Sequence, residues 1–228
     1  MFYIDPTYMY VFFITLAISV GVQLYLKSSF NKWSKVENGS GITGKDAADI
    51  IFMRTSLDKI PLEAVAGSMT DHFDPRGNVV RLSDPVRQQP SIASMAIAAH
   101  ELGHVQQYQT GSAMIKARGF LVPAVTFSPR VSYICLLLGL WFNFTGLLWL
   151  GIAFFAIMVV FSILTIPVEF DASRRGLKLL DEAGLMRTEE DRKGAKSILT
   201  AAGMTYLAAA VTSILQLLYY ISVANRRS

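Results

Sequence analysis

Only one cysteine, Cys135, and three histidines occur among the 228 residues. A lone cysteine has no partner for an intrachain disulfide. Imidazole chemistry must draw on His72, His100 or His104. Charge is scarce too: Asp, Glu, Lys and Arg make up 17% of the chain, against about 25% in an average soluble domain. With 52% hydrophobic residues and a mean hydropathy of +0.39, the chain is short of side chains to cover itself in water. Basic residues are missing from Met1 to Tyr10, and the apolar run that follows is too long for a cleaved signal. That run is expected to be an uncleaved anchor.

Four stretches reach the length of about 20 apolar residues that a bilayer crossing needs. They are 8–26, 119–143 (broken by Arg130 and containing Pro123 and Pro129), 147–167 and 197–222. The last is rich in Ala, Thr and Ser, and could instead lie against the other helices with one wetted face. Eleven Lys and Arg lie between Lys27 and Arg118, and seven between Arg174 and Lys196. The positive-inside rule therefore puts 27–118 and 168–196 in the cytoplasm. Four crossings leave both termini outside, an arrangement that Arg226 and Arg227 oppose. The net charge of +4 follows from these membrane-flanking residues and implies no nucleic-acid partner.

The sizeable polar region lies between the first two stretches. Glu37-Asn38-Gly39-Ser40-Gly41 reads as a flexible linker. Thr43 caps a helix from Gly44 to about Arg54, with Asp46 completing the box. Segments near Leu62–Ala66 and Asn78–Leu82 suggest a small sheet of two or three strands. Pro90 and Ser91 start a second helix, which carries Ile92–Ala99 and ends near Thr110-Gly111.

That second helix contains His100-Glu101-Leu102-Gly103-His104. Residues four apart share a helix face, so both imidazoles can reach one Zn²⁺, with Glu101 placed as general base. Catalytic zinc takes three protein ligands and a water, so a third ligand must come from elsewhere. The hairpin of the second and third stretches, turning at Asn143–Gly146, returns the chain to the face it left. A helix starting at Pro167 then sets Glu169 at the level of the histidines, giving a His₂Glu set. Gly103 reads either as room for a close-packed neighbour or as simple tolerance, at a cost of about 1 kcal/mol relative to alanine.

The chain resembles integral membrane zinc peptidases of the HtpX and CAAX-prenyl-protease type. It is more closely similar to the bacterial family of neutral zinc metallopeptidases typified by YugP. The segments that carry the likeness are Asp71–Pro75, Ala98–His104, Pro167–Ser173 and Leu199–Ala202. The HtpX-type pattern has an aspartate four residues after the glutamate ligand. Here Ser173 stands at that position and Asp171 lies two residues after Glu169, so either is a candidate to orient a ligating histidine. The resemblance implies a mainly α membrane protein with about four transmembrane helices and a small α+β, zincin-like cytoplasmic part.

The implied activity is zinc-dependent endopeptidase chemistry on protein or peptide substrates, membrane proteins among them, at the inner face of a bacterial plasma membrane. Glu101 moves the proton, and His72 is the first candidate for an oxyanion donor, with Tyr108, Arg174 and Tyr206 behind it. The strand near Val79–Leu82 is expected to offer an edge for an extended peptide. Three other readings compete. A site-2-type intramembrane protease is disfavoured by the polar residues Arg87–Pro90 and Gln106–Gln109 around the motif. A metal or proton transporter would need ionisable residues at mid-depth, where only Arg130 is found. An inactive or regulatory scaffold is opposed by the intact Glu101.

Overall fold

The computed structural model describes residues 5–227. Its helices are α1 (Pro6–Trp33), α2 (Gly44–Arg54), α3 (Asp84–Gln88), α4 (Ile92–Gln109), α5 (Ala113–Trp141), α6 (Thr145–Glu182) and α7 (Glu189–Asn225). Its strands are β1 (Leu62–Val65), β2 (His72–Asp74) and β3 (Val79–Ser83). The fold is thus mainly helical with one small sheet. Helices α1, α5, α6 and α7 are each long and apolar enough to cross a membrane.

The chain divides into two compact units. The first comprises Met1–Gln23, Lys116–Pro167 and Thr205–Ser228. It is built from the apolar parts of the four long helices. Arg226 and Arg227, which oppose an outer location, are both partnered within this unit. Arg226 Nη2 donates to Asp5 Oδ2 at 2.6 Å, and Arg227 Nη1 reaches Leu140 O at 3.3 Å and Asn143 Oδ1 at 3.2 Å. Asn143 takes a positive φ in the turn joining α5 and α6.

The second unit comprises Leu24–Ile115 and Val168–Met204. Its core joins Trp33, Ile51, Val80, Leu82, Met95, Leu102, Leu179 and Ile198. Local signals set its helix ends. Thr43 and Asp46 form the expected capping box on α2. Ser91 accepts from Ser94 N–H at the start of α4, and Gly111 follows its end with φ 65°. Thr188 and Asp191 cap α7 reciprocally.

Four expectations need correction. Pro167 does not start a helix but lies inside α6. In an apolar stretch the backbone has no water to turn to, so the helix persists and forgoes only the bond at Ile163 O. The strand Val79–Ser83 is not an edge: the order is β1-β3-β2, with β3 parallel to β1 and antiparallel to β2. Its position follows from composition, because Val80 and Leu82 are fully buried and a centre strand buries most.

The segment 37–41 is not a loose linker either. Asn38 is buried, its Nδ2 donating to Ile42 O and Ser91 O, while Gly39 N–H donates to the buried Asp191. The fourth correction concerns His72. It pairs with Arg81 across the β2–β3 ladder, on the face where Arg81 bridges Glu63 and Asp74. Alternation along a strand puts Phe73 on the opposite face, packed on the core that includes α4.

Candidate metal centre

Helix α4 supplies His100, Glu101 and His104, and α6 supplies Glu169, all within the second unit. The crossing of these two helices sets their distance. A Cβ built on Gly103 would collide with the Ala172 carbonyl, and one built on Gly176 would lie 2.7 Å from Ala99 O and 3.0 Å from His100 N. Each glycine admits the other helix's backbone, so the close-neighbour reading of Gly103 is the one observed. Small residues on both sides, Ala99 and Ala172 among them, are fully buried at this crossing.

The approach places Glu169 under the two imidazoles. Glu169 Oε2 lies 3.4 Å from His100 Nε2 and 3.4 Å from His104 Nε2. The three donor atoms fall within 4.8 Å of one another. A tetrahedral ion with bonds of about 2.0–2.2 Å spaces its ligand atoms roughly 3.3–3.6 Å apart, so this donor set fits zinc. Burial works to raise the Glu169 carboxyl, but the two imidazoles outweigh it and hold its pKa far below the usual carboxylate range. Burial likewise works against a proton on His104, and Glu169, Glu101 and Gln107 together overcome it, so that pKa is raised.

Glu101 is buried beside the cluster, and its Oε2 accepts from Phe73 N–H at 2.9 Å. The sheet explains that bond. Val80 faces Phe73 but directs its own N–H to Pro61 O on the β1 side. Phe73 and Val80 are therefore a non-hydrogen-bonded pair, and the Phe73 N–H points outward from the free edge of β2, where Glu101 takes it. Phe73 also packs edge-on to Tyr108, with centroids 5.6 Å apart.

The outer contacts differ from expectation in detail. Ser173 Oγ lies 3.2 Å from His100 Nδ1. Asp171 does not bond a histidine itself: Gln107 Oε1 meets His104 Nδ1 at 3.0 Å, and Gln107 Nε2 donates to Asp171 Oδ2 at 2.9 Å. Gln107 was missed in the sequence. The available signal was its position three residues after His104, on the same helix face.

The structure does not bring His72 into the cluster. It is exposed, with Nδ1 bonded to Thr70 O at 2.8 Å. Arg174 is largely exposed and 3.8 Å from Asp171, and Tyr206 belongs to the first unit.

A family profile described as "Putative neutral zinc metallopeptidase" matches residues 8–225. The chain belongs to that family. The chain is also 38% identical over 208 residues to the "Putative membrane protease YugP" of Bacillus subtilis (strain 168), covering 91% of this chain and 92% of that relative. No solved structure matches the chain. Family membership accounts for both halves of the molecule: the apolar helices make it a membrane protein, and the His-His-Glu cluster is a site able to hold the zinc that the family's description implies.

Two measurements test the geometry. Gly103→Ala is expected to push α6 off α4 and weaken zinc binding at least about tenfold, since a site tolerates only about 0.5 Å of misplacement. Zinc retained at full affinity by that variant, in a chelator competition, would contradict the role given to the crossing. The second measurement concerns pH. Because a raised His104 pKa makes zinc compete with a proton, affinity should fall as pH drops from about 8 to about 6. Glu169, already ionised, adds nothing to that slope, and an affinity flat across the window would count against the assignment.

Proposed function

We propose that this chain is a membrane zinc endopeptidase in which His100, His104 and Glu169 hold the metal and Glu101 is the general base. The observation that carries the reading is the convergence of two imidazole nitrogens of α4, each 3.4 Å from one carboxylate oxygen of α6, beside a buried Glu101 on α4. Zinc held there supplies Lewis acidity, polarising the attacking water and the scissile carbonyl. The rest falls to the protein. Glu101 keeps one oxygen on Phe73 N–H and has the other for the proton of the attacking water, which it then passes to the leaving amine. Burial of Glu101 and Glu169 strengthens these electrostatic contacts by lowering the local dielectric.

The substrate class is protein or peptide, with membrane proteins within reach. An extended peptide arriving at the cluster meets β2, the edge strand beside α4. A peptide that adds there must share or displace the Phe73–Glu101 contact. The site is assigned to the cytoplasmic face of a bacterial plasma membrane in a multi-pass arrangement. The support is the clustering of Lys and Arg in 27–118 and 168–196, the segments that make up most of the unit carrying the cluster. The identity with a Bacillus subtilis relative supports the bacterial setting.

The test is zinc content and casein cleavage by the detergent-purified protein. Glu101→Gln should keep one zinc per chain and lose cleavage by about 10²- to 10⁴-fold. Glu169→Ala should lose the metal and cleavage together. Full cleavage by Glu101→Gln, or full zinc content in Glu169→Ala, overturns the assignment of roles.

A further inference from the structure

The second contact sphere of His104 has only one consistent hydrogen-bond solution. Gln107 is fully buried, at 0% exposure. Its amide offers two N–H donors on Nε2 and one acceptor on Oε1. Nε2 lies 2.8 Å from Val168 O and 2.9 Å from Asp171 Oδ2. Val168 O is a carbonyl and can only accept. The Asp171 carboxylate is itself gripped by Arg175 Nε at 2.7 Å, so it too accepts.

Both amide hydrogens are therefore committed. The flipped amide would set Oε1 against two acceptors in a dry site, leaving two buried groups unmade. That leaves Oε1 for His104 Nδ1 at 3.0 Å, and an amide oxygen can only accept. Nδ1 must then carry a proton, so the neutral ring has its lone pair on Nε2, the atom 3.4 Å from Glu169 Oε2.

We infer that Gln107 is a positioning residue that fixes His104 in the Nε2-ligating tautomer, anchored by Val168 O and by the Asp171–Arg175 pair. The two histidines are thus held unequally. Ser173 Oγ, facing His100 Nδ1 at 3.2 Å, is a hydroxyl that donates or accepts, so it orients the ring without dictating its tautomer. Neither imidazole is backed directly by a carboxylate. Glu169 is then the sole anion among the proposed ligands, and less negative charge is delivered to the metal than a carboxylate–histidine pair would supply. The inference rests on the His100, His104 and Glu169 reading of the metal centre.

The test compares wild type with Gln107→Met, which keeps length and apolar volume and removes both ends of the amide. Zinc affinity, measured by chelator competition in detergent, is expected to fall about 10- to 100-fold. Ser173→Ala should cost less. The second readout is nitrogen-15 histidine labelling of the cadmium-113-loaded protein, where three histidines give a spectrum simple enough to assign. Wild type should couple cadmium to His104 Nε2 with a slowly exchanging Nδ1 proton. In Gln107→Met that proton should exchange faster, and coupling should spread to both ring nitrogens.

A purely packing role would lower thermal stability and leave the coupling at Nε2 alone. Unchanged affinity and unchanged coupling in Gln107→Met overturn this inference and leave the peptidase reading standing. A wild type that binds no zinc overturns the metal centre itself, and this inference with it. Should Gln107→Met not fold, the wild-type spectrum still decides: cadmium coupled to His104 Nδ1 would falsify the assignment.

Discussion

Two helix backbones in near contact govern the chemistry of this protein. Helices α4 and α6 approach where Gly103 meets Ala172 and Gly176 meets Ala99, and no other side chain larger than hydrogen fits at either glycine. Close approach of this kind costs helix propensity, about 1 kcal/mol for each glycine relative to alanine. The return is positional: a carboxylate from one helix lands 3.4 Å from two imidazoles of the other. Without it, the histidines would share a face with no third donor. The second contact sphere depends on the same crossing, because Val168, Asp171 and Ser173 reach α4 only from a helix this close.

Around that crossing the second unit distributes rigidity unevenly. The start of α4 is pinned by Ser91 and by the buried Asn38, and its middle by the core through Met95 and Leu102. Glu101 is held by a backbone N–H of the sheet edge rather than by another side chain. Glu101, the proposed general base, is thereby tied to the strand that an incoming peptide would meet first. Charge is handled by pairing: Asp171 binds Arg175, Asp74 binds Arg81 and Asp5 binds Arg226. Outside the cluster, exposed pairs of this kind contribute little stability each. Their value here is orientation.

Much of this was legible in the sequence, and what was not had physical causes. His100, Glu101 and His104 could be read because four-residue spacing on a helix is rigid geometry. The capping signals at Thr43 and Ser91 were equally readable, since a cap is a local contract between neighbours. Glu169 could be reached by topology, as the hairpin had to bring the chain back. His72 could not be placed from the sequence, because a strand alternates its faces and only the register with β3 decides which face a residue takes. Pro167 misled because the usual rule for proline assumes that water will satisfy the freed carbonyl.

The centre position of β3 and the tethering of Asn38 depend on partners distant in sequence, Pro61 and Ser91 among them. Gln107 was hidden for a different reason. A buried glutamine acquires meaning only once both its acceptors, on another helix, are known.

The central claim is a zinc ion held by two histidines and one carboxylate, and X-ray absorption at the zinc edge of the purified, zinc-loaded protein tests it most directly. The account predicts two imidazole nitrogens and low-Z oxygen donors at about 2.0–2.2 Å, with no sulfur. A spectrum that requires three imidazoles, drawing in His72 in place of Glu169, would contradict it, as would a sulfur scatterer or a protein that retains no zinc.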